Sequence, residues 1–98
     1  MDKVKIWNDF INELKNKVSD VTFNTWFINL KLLTINDKDI VIIVPYSVHK
    51  NHIINNYMDI IEEIFLNITG KNLNIVFCLE GEYKENTLDN IEKIGLDD

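Results

Sequence analysis

His49 and His52 are the two histidines of a 98-residue chain, and they stand three residues apart. On a helix that spacing places both imidazoles on one side, where two nitrogen donors could share a divalent metal. A metal site needs at least one further protein ligand, and the nearest acid on the same segment, Asp59, lies two turns away. The pair therefore reads as solvated or edge histidines, and no metal is expected. Cys78 is the one soft nucleophile, but it sits in an apolar, strand-like run with no helix N-terminus or cation nearby to favour a thiolate. It reads as a small buried hydrophobe. Asp59, Glu62 and Glu63 fall together as the wet side of a helix. There is no phosphate-binding loop of the G-x-x-x-x-G-K-[ST] type. These residues predict no catalytic group and no cofactor, so an enzyme is not the expected class.

The elements that would carry a binding surface follow from periodicity. Val4, Trp7, Ile11, Leu14 and Val18 recur at three- and four-residue steps, with Phe10 beside them, and predict an amphipathic helix over 3–18 capped by Asp2. Ser19-Asp20 breaks the pattern and can cap a second, shorter helix over about 21–28, with Phe23, Trp26 and Phe27 on one side. Leu30 to Ile35 and the β-branched run Ile40–Val44 flank the polar turn Asn36-Asp37-Lys38-Asp39, which predicts a hairpin whose second strand is buried on both faces. Pro45 ends that strand. Ser47 is the expected N-cap of a long helix over about 47–69, and Gly70 its C-terminal stop. Leu73–Leu79 reads as a third strand. The order α-α-β-β-α-β implies an α+β domain with helices packed on a small three-stranded sheet. Periodicity leaves the strand order open.

Composition bounds the rest. At 98 residues and 46% hydrophobic, the chain is long enough to bury one core and too apolar for disorder throughout. Acidity concentrates in residues 80–98, where Glu80, Glu82, Glu85, Asp89, Glu92, Asp97 and Asp98 face only Lys84 and Lys93. The expected division is an interaction domain over 1–79 and an acidic linker-like tail over 80–98, in which 87–94 could form a helical turn or two. No apolar run is long enough to span a bilayer, no signal pattern opens the chain, and the single cysteine suits a reducing compartment. A cytoplasmic protein with no membrane attachment is the simplest expectation.

The landmarks taken in order resemble a known family. The tryptophan-bearing first helix, Thr22-Phe23-Asn24-Thr25-Trp26, the hairpin ending in Val44-Pro45, the long helix, and Thr69-Gly70 before a last strand look like the N-terminal domain of bacterial chromosomal replication initiators of the DnaA type. The resemblance covers about residues 1–79. It implies a K-homology-like fold serving as a protein–protein docking module that self-associates, helps load the replicative helicase and receives regulators of initiation. In the family, ATPase and DNA-binding domains lie beyond a variable linker. The chain is either the N-terminal portion of such an initiator or a stand-alone relative.

Residue by residue, the resemblance implies self-association through Trp7, as a weak homodimer, and partner docking through Thr22, Thr25, Trp26, Tyr46 and Val48. The chain departs from the common pattern after Pro45, where family members carry Asn and then an aromatic two positions on. It also lacks the acidic residue that some members have at the Thr22 position. Bare packing is the competing role for both tryptophans, since Trp7 shares the helix stripe and Trp26 shares a side with Phe23 and Phe27.

A nucleic-acid role is the alternative function. Arginine, the usual bidentate ligand of phosphate and guanine, is absent from the chain, and the first glycine is Gly70. The GXXG loop of an RNA-binding K-homology domain is therefore missing. No basic residue falls between Lys17 and Lys31, so the second helix is a poor reader of DNA. At most, lysine-bearing edges would bind single-stranded nucleic acid weakly.

Overall fold

A computed structural model describes residues 2–82. The helical turns expected near 87–94 lie outside the described residues. Asp2 starts the chain's first helix by accepting the backbone N–H of Lys5 at 3.1 Å, and α1 runs Lys3–Lys17. Its buried line is Ile6, Phe10 and Leu14, with Trp7, Ile11 and Val18 half-buried beside it. Val4 stands 69% exposed, so the helix is turned relative to the stripe expected from spacing. Apolar residues at 4, 6, 7, 10, 11, 14 and 18 make a broad face whose centre local spacing cannot choose. Phe10 chooses it by stacking on Phe65 with ring centroids 4.3 Å apart and planes 11° from parallel.

Ser19 caps the next segment, accepting the Thr22 backbone N–H at 3.1 Å. One α-helical turn, α2 (Asp20–Thr22), passes into a π-helical turn, Phe23–Phe27, instead of continuing as the expected α-helix. The wider winding is closed by Ile28 N–H donating to the Phe23 carbonyl at 3.1 Å. It brings Phe23 and Phe27 into the core and leaves Thr25 exposed and Trp26 half-buried. Such turns recur at functional sites, because they re-aim side chains that an α-helix would hold elsewhere.

Strands β1 (Lys31–Ile35) and β2 (Asp39–Val44) form the expected antiparallel hairpin. Asn36 builds the turn locally, its side-chain oxygen accepting from Lys38 and Asp39 N–H, each at 2.8 Å. A bulge leaves Leu33 without a cross-strand partner, and its carbonyl accepts from the Lys3 ammonium at 2.7 Å, tying β1 to α1. Helix α3 runs Ser47–Thr69. Ser47 is its first helical residue; the cap position falls to Tyr46, which makes no side-chain cap bond. Gly70 ends α3 at φ 72°, in the left-handed region that suits glycine. Strand β3 (Asn74–Leu79) then lies parallel to β2, giving the order β1-β2-β3.

Alternation along the sheet separates two faces. Ile40, Ile42 and Val44 pair with Ile75, Phe77 and Leu79 on the face packed by α1 and α3, and all of these but the half-buried Leu79 belong with Phe10, Phe27, Ile61 and Phe65 to one core. Val41, Ile43, Val76 and Cys78 lie on the other face. Among the described residues, α1 and α3 thus cover β2 on one side, not on both as its continuous apolar run suggests. The β-branched run suits a central strand paired on both edges, and α1 and α3 pack on the same side of the sheet.

Candidate functional site

The π-helical turn and the first two turns of α3 meet in a cluster of rings. Trp26 stacks on His52 with centroids 3.8 Å apart and planes 20° from parallel, and meets His49 edge-on at 5.2 Å. Tyr46 lies 5.5 Å from His49, and Tyr57 lies 5.6 Å from His52 while packing its edge on Phe27 at 5.2 Å. A short helical segment cannot by itself hold a large indole in one place, and the two imidazoles do so here.

Hydrogen bonds set each ring. The Thr25 carbonyl falls at the C-terminal end of its segment, where helical carbonyls lose their own partners, and His49 Nε2–H donates to it at 3.2 Å. A carbonyl can only accept, so the neutral His49 ring carries its proton on Nε2. Its buried Nδ1 then has no partner among the described residues. The Asn56 side-chain amide donates to the His52 carbonyl at 2.9 Å and to His52 Nδ1 at 3.3 Å, which leaves the His52 proton on Nε2. The histidines are therefore ring partners of Trp26, half-buried, and not solvated groups. Among the described residues no three metal-binding side chains come together.

Of the residues expected from sequence, Thr25, Trp26 and Tyr46 come together around His49. Val48 lies on the first turn of α3, and both Tyr46 and Val48 are about two-thirds exposed, at 66% and 65%. Thr22 has a local task, since its hydroxyl accepts from Ser19 Oγ at 3.0 Å within the cap. His49, His52 and Asn56 were not anticipated as site residues. The available signal was their i, i+3 and i+4 spacing at the start of the helix that must face an aromatic turn. The surface so built has an aromatic floor, two exposed apolar side chains and few fixed charges, which suits contact with another protein.

Trp7 lies elsewhere. It packs at 5.1 Å against Phe10 and, with Val4, Leu30 and Leu32, lines a groove of about 270 Å³ between α1 and β1. Lys3 and Lys31 complete much of that lining. A second, more polar groove of about 510 Å³ runs between α1 and α3, past Asp9, Glu13 and Ile64. Cys78 is half-buried on the sheet's other face, where burial, with the Glu82 carboxylate adding to it, pushes its thiol pKa up. That favours the unreactive thiol form.

Residues 4–67 match the family model described as the DnaA N-terminal domain, a span that holds the ring cluster and, apart from Lys3, the lining of the Trp7 groove. Over 84 residues the chain is 33% identical to the chromosomal replication initiator protein DnaA of Thermodesulfovibrio yellowstonii, an alignment that covers 86% of this chain and 19% of that protein. The chain thus spans less than a fifth of that relative's length.

Proposed function

Because the chain belongs to the DnaA N-terminal domain family and is similar over 84 residues to a chromosomal replication initiator, we propose that it is a non-catalytic protein–protein interaction domain acting at replication initiation in the cytoplasm. It docks the replicative helicase and initiation regulators on the surface built by Thr22, Thr25, Trp26, Tyr46 and Val48, with His49 and His52 holding the indole. The observation that carries this reading is the Trp26–His52 stack beside exposed Tyr46 and Val48. Fixed aromatics next to exposed apolar side chains lower the entropy cost of binding, because little side-chain freedom remains to be lost. A pull-down with the cognate replicative helicase tests it: wild type should be retained, and Trp26→Ala and Val48→Asp should not. Equal retention of all three overturns the docking surface.

Self-association falls to the α1–β1 groove, where half-buried Trp7 and exposed Val4 flank an apolar floor. One such patch meeting its copy across a two-fold axis would give a small, weak dimer. Sedimentation should show a mass that rises with concentration in wild type and not in Trp7→Ala. A wild-type chain that stays monomeric at millimolar concentration removes this contact.

A further inference from the structure

We propose, resting on the docking reading above, that His52 is also a recognition residue of that surface. Its Nε2–H is a donor aimed by Asn56, and the partner supplies an uncharged carbonyl oxygen to it. Asn56 fixes the donor by elimination. Its side-chain nitrogen stands 2.9 Å from the His52 carbonyl, which can only accept, so that edge of the amide is NH2 and not oxygen. The same nitrogen lies 3.3 Å from His52 Nδ1, which must then present its lone pair. The ring proton is left on Nε2, the nitrogen farther from the backbone. The two histidines differ in what remains. His49 gives its Nε2–H to the Thr25 carbonyl at 3.2 Å, and its other nitrogen is buried. His52 Nε2 has no hydrogen-bond partner among the described residues, yet it is not one of their buried unpartnered atoms, so it reaches solvent. It does so beside the indole on which the ring is stacked.

Charge decides which acceptor fits. Residues Val21 to Leu30 include no charged side chain, and residues Ser47 to Ile54 at the start of α3 include only Lys50. Lys50 is one residue from His49 and two from His52, spacings that do not share a helix face. Its ammonium acts on the Cys78 thiol instead. Exposed Val21 and Ile28, on either side of the π-helical turn, make the surroundings more apolar still. A carboxylate brought against His52 would lose its water where no cation replaces it, and one neutral N–H does not offset the desolvation of a charge. A backbone carbonyl or a side-chain amide oxygen loses far less and accepts the same bond.

His52→Phe separates holding from recognition, because it keeps a ring for the indole and removes the donor. Binding to the cognate replicative helicase is titrated at two salt concentrations with wild type, His52→Phe and Trp26→Ala. His52→Phe should bind about three- to tenfold more weakly than wild type, the effect of one hydrogen bond, while the Trp26 ring protons keep the upfield shift of a stacked indole. The ratio of the two affinities should be the same at both salt concentrations, since no charge meets the donor. His52→Gln, whose amide nitrogen stands near the place of Nε2, should bind better than His52→Ala although neither stacks. Wild-type affinity in His52→Phe, or equal binding by the Gln and Ala variants, overturns the donor. A ratio that shrinks with salt overturns the uncharged acceptor. Each of these failures leaves docking standing if Trp26→Ala is still lost from the complex, whereas a wild type that does not bind removes both. One readout needs no partner. At mildly alkaline pH the ring nitrogen resonances of His52 should place its proton on Nε2 in wild type and show both tautomers in Asn56→Ala. A wild-type proton on Nδ1 overturns the proposal.

Discussion

The indole of Trp26 lies flat on the imidazole of His52, 3.8 Å between centroids, and joins a π-helical turn to a helix that begins some twenty residues later. This contact converts an aromatic on a short segment into a fixed surface feature. Its strength is measurable without any partner. A double-mutant cycle with Trp26→Ala and His52→Ala should return a coupling of about 0.5–1.5 kcal/mol in denaturant unfolding. A coupling near zero would mean the rings are neighbours without mutual support.

The two aromatics of α1 should separate cleanly. Phe10 is fully buried against Phe65, and Phe10→Ala should cost about 3–5 kcal/mol, a large part of the stability of a domain this size. Trp7 is half-buried, so Trp7→Ala should cost clearly less while removing the concentration-dependent mass. Urea unfolding and sedimentation on the same two variants check both halves.

Gly70 tests the helix stop. A Cβ there would meet nothing within 4 Å, yet the backbone sits at φ 72°. Gly70→Ala should therefore destabilise by about 1–2 kcal/mol through conformation alone. Thermal melting that is unchanged in the variant would contradict the left-handed geometry.

Cys78 should titrate late. Burial and the Glu82 carboxylate disfavour its thiolate, so its alkylation–pH profile should lie at higher pH than that of free cysteine. A folded-state pKa above the unfolded one also means that stability tied to this thiol is complete below the ordinary thiol value and is lost as pH rises through the folded one. Urea should move the profile back.

Asp37 should titrate early. Its carboxylate accepts from the Lys71 ammonium at 2.6 Å, which holds its pKa below the usual carboxylate range and links the hairpin turn to the loop after α3. With a lowered folded pKa, the benefit of the pair is present above the ordinary carboxylate value and is lost as pH falls through that of Asp37. Lys71→Ala should return the Asp37 carboxyl resonance to an ordinary titration. The effect on overall stability should be small, because both groups are exposed.

Much of this architecture was legible because its causes are local. Asp2 and Ser19 cap helices through bonds to the backbone three residues on, Asn36 folds its own turn, and Gly70 accepts a φ that other residues resist. Each signal is complete within four residues of chain. The tryptophans could likewise be singled out, since two large aromatics in the first 26 residues of a small domain must either pack or bind.

What the sequence determined by itself is therefore the order of the elements, the kind of each but the second helix, most of their ends to within a residue, and the family. The tertiary structure alone decided which line of α1 is buried, that β2 is helix-covered on one side, that β3 runs parallel beside it, and that His49 and His52 seize Trp26. These depend on residues 24 to 55 positions apart meeting in space, as Thr25 meets His49 and Phe10 meets Phe65. A broad apolar face or an i, i+3 pair is compatible with several packings. Only the closing of the core, where each side chain excludes the others' alternatives, selects one of them.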